Sequence, residues 1–343
     1  MKTRLLVAAL AAILVAAVQP QDWADFDAEW ANSPEYETSK ALCRQLRGRE
    51  APPADRPAPA QARSLAGCSS EALYYGIGRP ADPEQARLCA FTEAAEGADH
   101  PFAGRAMLMT IYANGVGARR DLEVAIHLAC GLDGAPAESH GRVSHLAELR
   151  AQGWSGSDFH YCDDITSGIS GGVCAGHRAQ IDGARRDAEL ARLLSGWTAA
   201  EREAFAPLRQ AFEAYVEAHA EGEVDMSGTL RNALYVSAQE ALRTEFIAML
   251  RHLEARTAPV SSAAQYRAAD ADLNLAYRES LRAVQGEPTG TVTAVGIRDA
   301  QRAWLRYRDA FVAFAAVKSP RLPRDSVAAW LTRHRTALLR GGE

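Results

Sequence analysis

Ser170 lies in Gly168-Ile169-Ser170-Gly171-Gly172, the G-x-S-x-G spacing that serine hydrolases use to raise a nucleophile on a sharp strand-to-helix turn. No hydrophobic strand leads into it. Asp163, Asp164 and Thr166 precede it instead, between Cys162 and Cys174, so the preferred reading is a polar loop bounded by a disulfide, and hydrolysis through Ser170 stands only as an alternative to test. A second group, His219, Glu221, Glu223 and Asp225, offers carboxylates suited to hard cations. Its spacing fits no calcium loop, and no HExxH helix exists in the chain. A solvated helix end is the preferred reading there. His127, His140, His145, His160 and His177 are scattered without ligand spacing. The reading is therefore of a protein that is no enzyme, without a catalytic residue, metal or cofactor. The third feature is a run of arginines, Arg302, Arg306 and Arg308, beside an aromatic series; these are the candidate partner-binding residues.

Composition narrows what such residues serve. The 343 residues carry 38 Lys+Arg against 43 Asp+Glu, a formal charge of −5, with 48% hydrophobic and 7% aromatic residues. That balance excludes a disordered or collagen-like chain and suggests two or three domains. Without a dense basic run, nucleic acid is not an expected partner. Lys2 and Arg4 precede an apolar stretch from Leu5 to Val18, too short to span a bilayer and suited to a signal peptide over 1–17, cleaved after Ala17. Loss of Lys2 and Arg4 takes the charge from −5 to −7. The expected product is periplasmic or secreted and has no membrane span. Six cysteines, Cys43, Cys68, Cys89, Cys130, Cys162 and Cys174, all follow the signal, and an even count in an exported chain points to disulfides. Six allow 15 pairings; consecutive pairing, Cys43–Cys68, Cys89–Cys130 and Cys162–Cys174, is the expectation taken.

The elements that position these residues read as all-α. Residues 18–60 hold one helix and then the proline-rich connector APPADRPAPA. Over 61–152 an internal repeat appears: Gly76, Gly78, Asp82 and Ala86 recur as Gly115, Gly117, Asp121 and Ala125, each 39 residues on. Each unit predicts a helical hairpin, with glycine ending the first helix and aspartate capping the second. A lone hairpin cannot bury its apolar face, so the units must stack. The pattern Y-x-x-G-x-G-x-x-x-D-x-x-x-A, best kept by Tyr112, Gly115, Gly117, Asp121 and Ala125, resembles Sel-one-like repeats, which are related to tetratricopeptide repeats. That resemblance implies a binding scaffold rather than catalysis.

Beyond residue 152 come long helices. Ala300, Trp304, Tyr307, Phe311 and Phe314 are spaced 4, 3, 4 and 3 apart, one stripe on a helix. Leu273, Tyr277, Leu281 and Val284 make a stripe on the preceding helix, and the break Gly286–Gly290 joins the two as an antiparallel pair. The aromatic stripe is expected in the core and the arginines outside it. Asp272, Leu273, Asn274 and Tyr277, then Gln301, Trp304, Tyr307, Arg308 and Asp309, with Leu331, Thr332 and Arg335, resemble the lysozyme inhibitor LprI family over 259–343. Upstream, 153–258 reads as a degenerate copy, since Phe212 and Tyr215 precede Trp304 and Tyr307 by 92 residues each. The family's flanking cysteines are absent from the second copy and present, as Cys162 and Cys174, in the first. The expected architecture is thus a short helical-hairpin repeat array followed by antiparallel helical modules. The resemblance implies protein binding in the cell envelope, with lysozyme the most concrete partner. A non-catalytic periplasmic scaffold or assembly adaptor is the alternative.

Overall fold

A computed structural model describes residues 22–29, 33–98, 100–285 and 290–341. The signal segment 1–17 and most of the break at Gly286–Gly290 lie outside the described residues. Among those described there are thirteen α-helices and no strand: α1 Glu37–Leu46, α2 Pro59–Ser64, α3 Ser70–Tyr75, α4 Pro83–Ala95, α5 Gly104–Asn114, α6 Leu122–Cys130, α7 Pro136–Ala151, α8 Gly168–Ser195, α9 Ala199–Glu223, α10 Arg231–Ala255, α11 Ala263–Ala283, α12 Ala294–Lys318 and α13 Arg324–Leu339. The protein is all-α, as its periodicities require.

The 39-residue repeat becomes two hairpins, α3–α4 and α5–α6. Gly76 and Gly115 end their first helices at φ 72° and 65°, where a Cβ would be strained. Asp82 and Asp121 cap the second helices, accepting from Gln85 N in one unit and from Glu123 and Val124 N in the other. Both aspartate N–H groups reach back nine residues, to Leu73 O and Tyr112 O. The hairpins stack so tightly at Gly117 that a Cβ there would lie 2.2 Å from Pro83 O.

Two expectations about this half are corrected. The disulfides are Cys43–Cys130, Cys68–Cys89 and Cys162–Cys174, with Cα separations of 5.7, 6.0 and 6.0 Å; Cys43–Cys68 and Cys89–Cys130 do not form. The physical reason is docking: α1 packs on α6 and α7, the far end of the array, and not on its neighbour in sequence. The proline-rich stretch is likewise no free connector. Asp55 accepts from the Tyr112 hydroxyl at 2.9 Å, its carbonyl accepts from Arg87 Nε at 3.1 Å, and Arg49 pairs with Asp121 at 2.6 Å. Residues 39–55 therefore run as a strap along the repeats, from Ser39 beside His140 at one end to Asp55 at the other.

The second half is one bundle. Its core runs from Leu190 and Trp197 through Phe212, Phe246 and Leu273 to Trp304, Phe314 and Leu331, so the helices from Leu190 onward share a single apolar interior, whereas Phe159 and Tyr161 belong to the core of the repeats. Contacts at both ends of each pair set the directions. Gly168 against Thr229 and Arg186 against Glu240 make α8 and α10 parallel, and Ser261–Ser326 with Ser280–Leu339 make α11 and α13 parallel. Between them α9 and α12 cross antiparallel, joined by Gly222–Gly296, Tyr215–Tyr307 and Phe205–Phe314. The starts of α8, α9 and α10 precede those of α11, α12 and α13 by 95, 95 and 93 residues. The aromatic stripe of α12 thus packs on α9 rather than on α11, contrary to the expected pairing. α11 offers mainly Ala269, Leu273 and Ala276 to the interior and lies on α13, too shallow a face for four aromatic rings.

At the α9–α12 crossing a Cβ on either glycine would sit 2.6 Å from the other's carbonyl oxygen. Gly222→Val or Gly296→Val should each lower unfolding free energy by about 1–3 kcal/mol, read from urea denaturation, whereas Gly176→Ala, with open space around it, should be stable.

Candidate functional site

The aromatic stripe is interior. Trp304, Tyr307, Phe311 and Phe314 are all buried, and Tyr307 stacks on Tyr215 with planes 9° apart and centroids at 5.6 Å. Phe212 stacks on Phe246 at 4.0 Å. The two residues placed 92 positions before Trp304 and Tyr307 therefore meet the same interior from the opposite helix.

Behind the stripe sits the most demanding polar group of the bundle. Arg335 is on the apolar face of α13, four and eight residues after Leu331 and Val327, and its side chain is 0% exposed. Its NH1 and NH2 donate to Glu223 Oε2 and Oε1 at 2.7 and 2.6 Å, NH1 also reaches the Tyr215 hydroxyl at 3.3 Å, and Nε donates to Gln301 Oε1 at 3.0 Å. Glu223 is also 2.7 Å from His219 Nδ1. Burial works against the charged form of Glu223, but the hydrogen bonds from His219 and Arg335, with the charge of Arg335, hold its carboxyl below the usual range. Burial likewise opposes charge on Arg335, and Tyr215 and Glu223 outweigh it and keep the guanidinium protonated. Burial pushes the Tyr215 phenol up to about 12, so it stays neutral and accepts from Arg335. Here the expectation for His219 and Glu223 is corrected: they are buried among α9, α12 and α13, not solvated. Glu221 stays outside and Asp225 turns to Ser227 and Thr291, so the four do not converge.

Gln301, Trp304, Tyr307 and Arg335 are thus brought together. Tyr307 adds a contact from its hydroxyl to Met249 Sδ at 3.7 Å. The other motif residues lie apart. Leu273 is buried, Tyr277 half-buried, Asn274 caps back onto Asp270, and Asp272 forms a surface pair with Arg340. The three arginines do not form one ridge. Arg302 pairs with Asp299 at 2.8 Å and Arg306 is exposed, but Arg308 folds over the Trp304 ring at 5.3 Å and bonds Asp309 at 2.9 Å.

Residues 254–339 match a family model, Lysozyme inhibitor LprI. That stretch is a quarter of the chain and holds Gln301, Trp304 and Arg335, while Tyr215, His219 and Glu223, which complete their surroundings, come from outside it. No curated protein and no solved structure matches the chain. LprI is by its description an inhibitor family, and the geometry at Ser170 agrees with a structural part for that residue. Ser170 stands not in the expected polar loop but in the first turn of α8, the helix that also carries Cys174, its hydroxyl bonding Glu138 at 3.0 Å and Ser167 at 3.0 Å. Glu138, buried, also accepts from Thr166 and Ser167 N; burial would raise its pKa, and these bonds hold it low. It ties α7 to the start of α8. His160 and His177, scattered in sequence, meet with ring centroids 5.1 Å apart; His177 stacks on Phe102 and bonds Glu71. Among the described residues the one group close enough to hold a metal, Cys68, Cys89 and Glu93, has both thiols in a disulfide and its carboxylate bound to Ser70 and Gly104.

Sequence periodicity missed Glu223 as a partner. The available signal was Arg335 itself: a cation in register with Val327 and Leu331 on an apolar stripe requires a buried acid. Arg335→Ala or Glu223→Ala should each cost about 3–5 kcal/mol, and Glu223→Leu combined with Arg335→Met should cost less than either, read from urea unfolding. Because the folded pKa of Glu223 lies below its ordinary 4.5, its stabilisation is present above that value and is lost as pH falls through the folded one. Glu223→Gln should therefore be less stable at neutral pH and show a shallower loss of stability as pH falls below 4.5.

Proposed function

We propose that this chain is an exported protein-binding protein of the cell envelope, that the protein it binds is a lysozyme, and that the exposed arginines of α12 make the contact. The observation that carries the reading is the match of residues 254–339 to the LprI lysozyme inhibitor model. Export is supported by the order Lys2, Arg4, Leu5 to Val18 and Ala17 and by three disulfides, which persist in oxidising compartments. In this reading 61–152 are two Sel-one-like repeats, 259–343 an LprI-like module and 153–258 its degenerate copy. The common order and directions of α8–α10 and α11–α13 support the duplication.

Lysozymes hydrolyse glycosides with a pair of carboxylates, and a guanidinium presented to such a cleft pairs with them in bidentate geometry. Arg302 and Arg306 are exposed on α12 and suited to this. Arg308, held on Trp304 and Asp309, orders that face rather than reaching a partner. The scaffold alternative draws less support, since the chain's own strap already covers a face of the repeats through Asp55 and Arg49.

The test is a lysozyme turbidity assay with the whole purified chain. The isolated segment 254–339 is unsuitable, because it lacks the acid that Arg335 needs. Inhibition at micromolar excess is expected, and Arg302→Glu with Arg306→Glu should weaken it at least about tenfold while leaving the circular dichroism unchanged. No inhibition by the native chain would overturn the reading; inhibition unchanged in the variant would overturn the assignment to α12.

A further inference from the structure

At one end of the bundle the chain leaves α10 and α12, and the two exits, residues 256–260 and 318–322, enclose a cleft of about 460 Å³, a size usual for a small-molecule site. Leu253, Val260 and Leu322 give it an apolar lining, and Arg256, Lys318 and Arg321 supply its charge. Val260 is 74% exposed, an aliphatic side chain with no part in the core.

The three cations are not equivalent. Lys318 is committed to the fold, its Nζ 2.7 Å from Glu254 and 3.3 Å from Glu201 and lying over the Trp197 ring at 4.9 Å. Arg256 and Arg321 are exposed, and neither has an ion pair or side-chain hydrogen bond among the described residues. Arg256 also stands at φ 56°, the one positive φ outside glycine among the described residues. It follows the last turn of α10, and its N–H returns to His252 and Leu253 O. Glycine is the usual occupant of that left-handed cap, and an L side chain there costs energy. A cation near a helix C-terminus is favourable in itself, but that role does not require a left-handed backbone.

We propose that this cleft binds an amphipathic carboxylate, with the carboxylate received by Arg256 and Arg321 and an aliphatic or aromatic body laid on Leu253, Val260 and Leu322. Such a group occurs both in a free fatty acid and at the carboxy terminus of an apolar peptide. The site is independent of the lysozyme reading and lies on different residues.

Isothermal titration of the intact chain tests it with two probes, decanoate and acetyl-Leu-Leu-Leu with a free carboxylate. Decanol and the peptide amide are the uncharged controls. At least one carboxylate should bind one to one, with its uncharged control weaker by about tenfold or more, and the probe that binds names the source. Arg256→Gly and Arg321→Ala should each weaken binding by a similar factor. Arg256→Gly should keep or raise the Tm, because glycine suits the left-handed cap, so lost binding would not reflect lost folding. The proposal is overturned if neither carboxylate binds below about 1 mM, if the uncharged controls bind equally well, or if Arg256→Gly binds as the native chain does.

Discussion

The buried ion pair between Arg335 and Glu223 constrains the bundle more than any other contact. A guanidinium with no solvent exposure is costly unless its donors are met and its charge is balanced. Here α9 supplies the balancing carboxylate and a phenol, and α12 supplies an amide. Breaking any one of these leaves a charge in a low-dielectric interior. The pair thereby fixes the position of α13 against both central helices, and the crossing of those helices at Gly222 and Gly296 sets how close its partners stand.

The same pair explains why a motif confined to 254–339 does not describe a self-sufficient object. Gln301, Trp304 and Arg335 lie within the matched stretch, yet the carboxylate they depend on comes from the preceding helix set. Tyr215 and Tyr307 stack near the middle of the α9–α12 crossing. The two halves are thus each other's interior. The outer side of α12 is consequently held in place from behind by α9.

What could be read from the residues was what local chemistry decides. Gly115 and Asp121 announce a helix end and a helix start by themselves, so the hairpins and their 39-residue period were legible. The spacing of Trp304, Tyr307, Phe311 and Phe314 told that one face of α12 is buried. It did not tell against what, because periodicity reports the depth of a face and not the identity of its neighbour. That is why α11 was expected where α9 stands. Glu223 lies 112 residues from Arg335, and as a polar residue near a helix end it looks solvated until α13 arrives. Ser170 shows the converse: five residues met a hydrolase spacing, and the absence of a strand before them was the more informative fact.

The strap from Ser39 to Asp55 carries one more implication, through the order of the cysteines along the chain. Cys68 and Cys89 lie nearer to Cys43 along the chain than Cys130 does, yet its native partner is Cys130, 87 residues away. A chain oxidised as it emerges meets the wrong thiols first, and the mispaired forms must exchange through thiolate attack before α1 can settle on α6. An oxidant alone therefore serves this protein poorly. A disulfide-isomerising catalyst is expected to raise the yield of native pairing more than a stronger oxidant does.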